Sequence, residues 1–266
     1  MSVPLPSFFL VPLIKSYAKF YGVNLTEVQN QLGDFRSFSD FFVRDLVEDA
    51  RPLGDGFVSP ADGRIDQFGS FSSTRLIQAK GKEYDLVNFL GEKAWAEGYK
   101  DGSFITVYLS PADYHNVHVP FDSCLKEMSY IPGTLWPVNS WSVENIEELF
   151  SVNERVVFRL ETEQGSEFLL VMVGATNVGS IGVSFSDFKT NTLKRITAGA
   201  GQVQSKVNPE IDFARGDKLG SFFLGSTVVL IFRSGEMNFD KISLGQKIKL
   251  GQTLGELDGA NNRSKR

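Results

Sequence analysis

The chain is poor in the residues that most often carry catalysis and cross-linking. Its 266 residues include one cysteine, Cys124, and two histidines, His115 and His118. A single cysteine excludes an intramolecular disulfide, and nothing argues for an oxidising compartment. Any imidazole chemistry falls to one of the two histidines. A basic surplus is missing as well: 27 Lys and Arg stand against 32 Asp and Glu, a net charge of −5. That balance is the reverse of what nucleic-acid binding requires, so no nucleic-acid partner is expected. No apolar run approaches the roughly 20 residues of a membrane-spanning helix; runs such as Phe8–Ile14 and Val228–Phe232 fall far short. The N-terminus does not read as a signal peptide, because it has no basic n-region and Pro4, Pro6 and Pro12 interrupt its apolar stretch. What remains is an ordinary globular composition, 42% apolar and 22% charged, with a surplus of 23 phenylalanines for a core or a lipid-facing surface.

Residues 1–46 read as helical. Phe8, Phe9, Leu10, Leu13, Ile14, Tyr17, Phe20 and Tyr21 recur at helical spacing, with Lys15 and Lys19 on the opposite side. Asn24 and Glu27 form a capping-box pattern opening a second helix through Leu32, and Ser37 or Ser39 caps a third running through Phe41, Phe42 and Leu46. Such a segment is either a helical subdomain on the core or an amphipathic stretch lying on a bilayer.

From about residue 50, Gly and Pro punctuate short apolar runs: Ser103–Leu109, Arg155–Leu160, Glu167–Val173, Gly179–Phe185 and Ser226–Phe232. These read as strands. Only Asn145–Phe150 and Asp85–Glu97 read as helical here. The expected fold is a β-dominated α+β protein, a barrel- or sandwich-like β core with an N-terminal amphipathic helical segment. Its division is residues 1–47 for that segment and 48–266 for the catalytic, β-rich part. Two short echoes occur. Gly216-Asp-Lys-Leu-Gly220 resembles Gly251-Gln-Thr-Leu-Gly255, and Ser-Pro-Ala-Asp appears at Ser59–Asp62 and at Ser110–Asp113. Both are turn patterns.

Three segments are candidates for chemistry. Tyr114-His-Asn-Val-His-Val-Pro120 places both histidines at i and i+3. On a strand they would face opposite ways, and a catalytic zinc would still need a carboxylate or Cys124 as third ligand. No metal is therefore assigned; structural histidines and an acid–base role for at least one both remain open. Leu224-Gly-Ser-Thr227 is either a turn entering a strand or the home of an activated serine. A serine hydroxyl is a poor nucleophile until a base takes its proton and a third group orients the base. His118 and Asp62 are available for those roles. The glycine-bearing turn Gly174–Ser180 matches no phosphate-binding loop.

Together these segments resemble the pyruvoyl-dependent phosphatidylserine decarboxylase proenzyme family. The resemblance spans nearly the whole chain: Phe38-Ser-Asp-Phe-Phe-Val-Arg44, Ser59-Pro-Ala-Asp-Gly63, Gln78-Ala-Lys-Gly81, Tyr108 through His118, Asn153-Glu-Arg155, Val173 through Ile181, and Leu224-Gly-Ser-Thr227. The resemblance implies a chain that cuts itself between Gly225 and Ser226. Asp62 would orient His118, and His118 would deprotonate Ser226. Ser226 would then become a covalent pyruvoyl group heading an α chain, 226–266, beside a β chain, 1–225. It further implies decarboxylation of phosphatidylserine to phosphatidylethanolamine, with His115 as candidate proton donor. Peripheral attachment to the cytoplasmic side of the cell membrane through residues 1–46 and a dimer of the processed pair follow from the same resemblance. Rival expectations are the same chemistry on another serine phospholipid or an amino acid, a non-catalytic barrel-sandwich carrier, and a metal hydrolase built on His115 and His118.

Overall fold

The computed structural model describes residues 3–79, 82–138, 140–175, 180–190, 205–223, 226–240 and 242–258. Its helices are α1 (Ser7–Tyr21), α2 (Phe38–Phe42), α3 (Leu86–Leu90), α4 (Lys93–Gly98), α5 (Ser140–Asn145) and α6 (Leu149–Val152). Its strands are β1 (Phe57–Val58), β2 (Gly63–Ser70), β3 (Arg75–Ala79), β4 (Lys82–Asp85), β5 (Ser103–Leu109), β6 (Asn116–His118), β7 (Ser123–Ile131), β8 (Arg155–Glu161), β9 (Glu167–Gly174), β10 (Ile181–Val183), β11 (Ser205–Val207), β12 (Ile211–Phe213), β13 (Lys218–Phe222), β14 (Ser226–Phe232), β15 (Met237–Phe239), β16 (Lys247–Ile248) and β17 (Thr253–Leu257).

A nine-stranded antiparallel sheet organises the molecule in the order β11-β7-β8-β9-β14-β5-β2-β16, with β12 also pairing β7. The order runs from edge to edge without closing, so the architecture is sandwich-like rather than a barrel. β14 lies near the middle, paired along its full length with β5 on one side and β9 on the other. Both of its faces are covered, which is why Ser-Thr-Val-Val-Leu-Ile-Phe is continuously apolar after its first two residues instead of alternating. Val228, Leu230 and Phe232 join one core with Val117 and Phe222 of the small sheet β10-β13-β6 and with Phe57 and Leu254 of the small sheet β1-β17-β15. Val229 and Ile231 join a second core with Leu76, Tyr84, Phe89 and Phe150 of the β3-β4 hairpin, α3 and α6. Each such buried side chain contributes about 1.5–3 kcal/mol of transfer free energy.

α1 buries Leu10, Ile14 and Ala18 against Phe38, Phe41 and Phe42. The opposite side of α1 is bare: Phe8 is 69% exposed and Phe20 80%. Ser37 caps α2, its Oγ accepting from the Asp40 amide at 3.2 Å. Asn24 caps as expected too, but opens only a 3-10 turn, Leu25–Glu27. The chain then leaves helical geometry because Val28 forms a β-bridge with Leu46, which also ends the third expected helix at Phe42.

The two glycine echoes fold alike. Gly216 and Gly251 both take left-handed φ values, +92° and +84°, and a side chain would collide with Leu53 at the first and with the Pro52 carbonyl at the second. Each leads into a strand with a fully buried leucine, Leu219 or Leu254.

Candidate active site

One end of the central sheet gathers the candidate residues. Ser226 opens β14 and sits opposite Leu109, the last residue of β5, and Gly174, the last of β9. On the next strand out, Arg64 pairs Tyr108, which puts Asp62 and Gly63 at the same end. The chain leaving β5 makes the Ser110–Asp113 turn and delivers His115 just before β6 and His118 at its end. Gly225, the expected cleavage position, lies outside the described residues.

The Ser226 hydroxyl is fully buried and has no hydrogen-bond partner among the described residues. A buried, unpaired hydroxyl is costly to leave in place and is commonly tied to reactivity.

The two histidines are held in the same tautomer. The His118 ring lies 2.7 Å by Nδ1 from the Gly216 carbonyl, and His115 Nδ1 lies 2.8 Å from the Asp113 carbonyl. A carbonyl only accepts, so both Nδ1 atoms carry the proton and both Nε2 atoms present a lone pair. The Tyr114 hydroxyl covers the His118 lone pair at 3.1 Å. His115 Nε2 is buried and has no partner among the described residues, and its ring packs 4.1 Å from that of Phe42. Burial lowers both pKa values, that of His115 to about 3, so both rings are neutral bases at pH 7.

Asp62, His118 and Ser226 are not joined by hydrogen bonds here. Arg51 takes the Asp62 carboxylate with two arms, Nε to Oδ1 at 2.8 Å and Nη2 to Oδ2 at 2.6 Å, and the Leu250 amide donates to Oδ1 at 2.9 Å. The orienting partner of His118 is thus a backbone carbonyl. A guanidinium fork outcompetes a neutral imidazole N–H for a carboxylate because its bonds are charge-assisted and paired. Arg51 also reaches Glu27 at 2.9 Å, tying the site to the N-terminal helical region. The same tetrapeptide therefore serves two ends. In Ser110–Asp113 the aspartate accepts from its own turn amide at 2.7 Å, while in Ser59–Asp62 it turns to Arg51.

Arg51, Tyr114 and Glu154 are participants that sequence reasoning did not single out. Tyr114 and Glu154 sit inside quoted motifs; Arg51 carries no sequence signal. Glu154 is buried beside Gly174, where a side chain at 174 would meet its Cγ at 3.0 Å. Directly paired residues point to the same face, so the Glu154 carboxyl shares the face of Ser226. It accepts from the Thr190 hydroxyl at 2.8 Å and the Tyr130 hydroxyl at 3.3 Å. Burial outweighs these bonds and raises its pKa to about 7.

A profile of the phosphatidylserine decarboxylase family matches residues 38–256. The chain belongs to the phosphatidylserine decarboxylase family. It is 39% identical over 248 residues to a phosphatidylserine decarboxylase proenzyme of Psychrobacter cryohalolentis, covering 91% of this chain and 86% of that one. It is 40% identical over 245 residues to that of Vibrio vulnificus, covering 90% and 85%. The protein is accordingly an enzyme of a decarboxylase family. Among the described residues no cluster of three or more His, Cys, Asp or Glu side chains is placed to hold a metal, and no helix is long and apolar enough to cross a membrane.

The two perturbed groups set opposite pH slopes. Glu154, raised from 4.5 to about 7, contributes stability present below pH 4.5 and lost as pH rises through 7. His115, lowered from 6.5 to about 3, contributes stability present above pH 6.5 and lost as pH falls toward 3. In denaturant titrations from pH 4 to 8, Glu154→Gln gains on the parent protein by on the order of 3 kcal/mol toward pH 7. His115→Gln gains in the opposite direction.

Proposed function

We propose that this enzyme decarboxylates phosphatidylserine to phosphatidylethanolamine with a pyruvoyl group made from its own Ser226. The observation that carries the reading is the buried, unpartnered Ser226 hydroxyl at the head of a central strand. In maturation, His118 Nε2 takes the Ser226 proton once Tyr114 releases it, and Oγ attacks the carbonyl carbon of Gly225. The amide nitrogen leaves that carbon, giving an ester. Loss of the residue 226 Cα proton expels the Gly225 carboxylate and leaves dehydroalanine. One water then releases one ammonia and leaves the keto group. Asp62 acts on His118 only indirectly, through Arg51 and Tyr114, which line the cavities that Asp62 and His118 each border.

The pyruvoyl group supplies an electrophile that accepts the substrate amine and draws off the electrons freed as carbon dioxide leaves. His115 holds the proton-transfer position for turnover: it is buried, neutral and fixed by the Asp113 carbonyl, with a free Nε2. Residues 1–47 form the docking segment and 48–266 the catalytic part. The exposed Phe8, Phe9, Leu13 and Phe20, with exposed Lys15 and Lys19, support a lipid-surface role for α1. Attachment is peripheral, on the cytoplasmic side of the cell membrane, and the processed pair dimerises. The relatives named above are called proenzymes, which agrees with processing.

Intact mass under denaturing conditions tests the proposal. Two chains are expected, 1–225 and 226–266, the second lighter by one ammonia than a serine-headed chain. A persistent single chain overturns it. His115→Ala is expected to cleave normally yet fail to decarboxylate; a variant that fails to cleave removes the division of labour between the histidines.

A further inference from the structure

A cavity of about 550 Å³ opens beside Asp62, between the C-terminal end of α1, the start of β2 and the Ser110–Tyr114 turn. It contrasts with the net-acidic chain. Arg44, Arg51, Arg64, Lys247 and Lys249 line it, against three acids, Glu27, Asp62 and Asp113. Most of these charges are already matched. Arg51 holds Asp62 and Glu27, Arg64 holds Asp66, and Asp113 accepts from the Ser110 amide.

Arg44 is different. It is only 4% exposed and forms no ion pair among the described residues. Its Nη2 donates to the carbonyls of Ala112 and Asp113 at 3.2 and 3.3 Å, while its Nε and Nη1 are buried without partners. Arg155 shows how this chain satisfies a buried guanidinium when no ligand is needed: all three of its nitrogens donate to carbonyls at 2.6–2.7 Å. Arg44 has half of that. A buried cation with idle donors on the wall of a basic cavity calls for an anion. Lys247 adds a second charge with no ion pair among the described residues.

The geometry points to this cavity as an anion subsite that receives the phosphodiester of the lipid substrate, with Arg44 as the recognition group and Lys247 and Lys249 at its rim. The assignment rests on the phosphatidylserine reading above. It is spatially consistent with it. Tyr108 and Gly63 of the cavity wall lie at the same sheet end as Ser226, and the phosphorus of a serine phospholipid is only three bonds from the amine-bearing carbon. A phosphodiester presents two non-bridging oxygens, which accept directional guanidinium N–H bonds as well as charge.

Thermal shift of full-length Ser226→Ala protein tests binding without requiring activity. The probes are glycerophosphoserine, dihexanoyl phosphatidylserine and inorganic phosphate. Both phosphodiesters are expected to raise the melting temperature and phosphate to do so much less. Arg44→Met on that background is expected to weaken glycerophosphoserine roughly 10- to 100-fold. Lys247→Ala, at an exposed position, is expected to weaken it less and to make the remaining binding less sensitive to salt. Unchanged affinity in both variants overturns the site, as does the absence of any shift. A phosphate response equal to that of the phosphodiesters makes it a free-anion site and overturns the lipid assignment. If the wild-type protein proves uncleaved by mass while glycerophosphoserine binding depends on Arg44, the subsite stands and the pyruvoyl reading fails.

Discussion

Ser226→Ala yields a protein that stays one chain through prolonged incubation and loses decarboxylation by at least about 10⁴-fold. The expected loss is large because, on the proposed mechanism, one residue serves both stages. In the proposed maturation the Ser226 oxygen makes the ester and departs with Gly225, and the Cα of residue 226 becomes the keto carbon. The substitution is also structurally mild. The hydroxyl is buried without a partner, so deleting it strands no donor or acceptor elsewhere and removes an unsatisfied polar atom. Its denaturant midpoint is therefore expected to be no lower than that of the processed protein. Electrophoresis, intact mass and a radiolabelled carbon dioxide release assay give the three readouts. A cleaved or active Ser226→Ala protein would sink the mechanism outright.

Arg155→Met is expected to cost about 3–5 kcal/mol, among the largest stability losses available to a single substitution here. Arg155 is fully buried. Its Nη2 and Nε donate to the carbonyls of Asn88 and Phe89 in the last turn of α3, and its Nη1 to those of Ser151 in α6 and Asn153. One guanidinium thus closes the C-terminal ends of two helices, where cationic charge is favoured by the helix dipoles. Methionine fills much of the volume but leaves four buried carbonyls unpaired. Urea titration on the Ser226→Ala background measures the cost. A loss below about 1 kcal/mol would show that water replaces the guanidinium. Because Arg155 adjoins Glu154 and Asn153, and Asn153 Nδ2 donates to the Gly174 carbonyl at 3.0 Å, the loss should also perturb the sheet end that holds Ser226.

The central strands were legible because burial on both faces writes itself as an uninterrupted apolar run. β5 and β14 match the expected limits, and β8 and β9 run one residue further than expected. β7 was not legible. Its polar Lys126, Glu127 and Ser129 interrupt the pattern, since it lies nearer the sheet edge. Helix limits were blurred by long-range pairing, as at Val28 and Leu46, and by the left-handed Gly91 and Glu148, which split two expected helices into shorter pieces. The identities of Asp62, His115, His118 and Ser226 came from motifs; their partners did not. That Arg51 rather than His118 takes the Asp62 carboxylate depends on where the loop before β1 passes in space, and no local pattern encodes that.

The place of β14 in the sheet has a consequence for the order of events in the life of the molecule. A strand gripped by seven-residue ladders on both sides would not be shed by the proposed cut at its head, so β14 would stay in the sheet. The reverse route is not open in the same way. Two separated pieces would have to insert a middle strand into an unfinished sheet, paying the entropy of association on top of the non-local closure that already slows such topologies. On the proposed maturation the fold would be assembled while the chain is whole and afterwards inherited rather than remade. The uncut chain refolds as a single molecule, whereas the cut one owes its persistence to the height of its unfolding barrier.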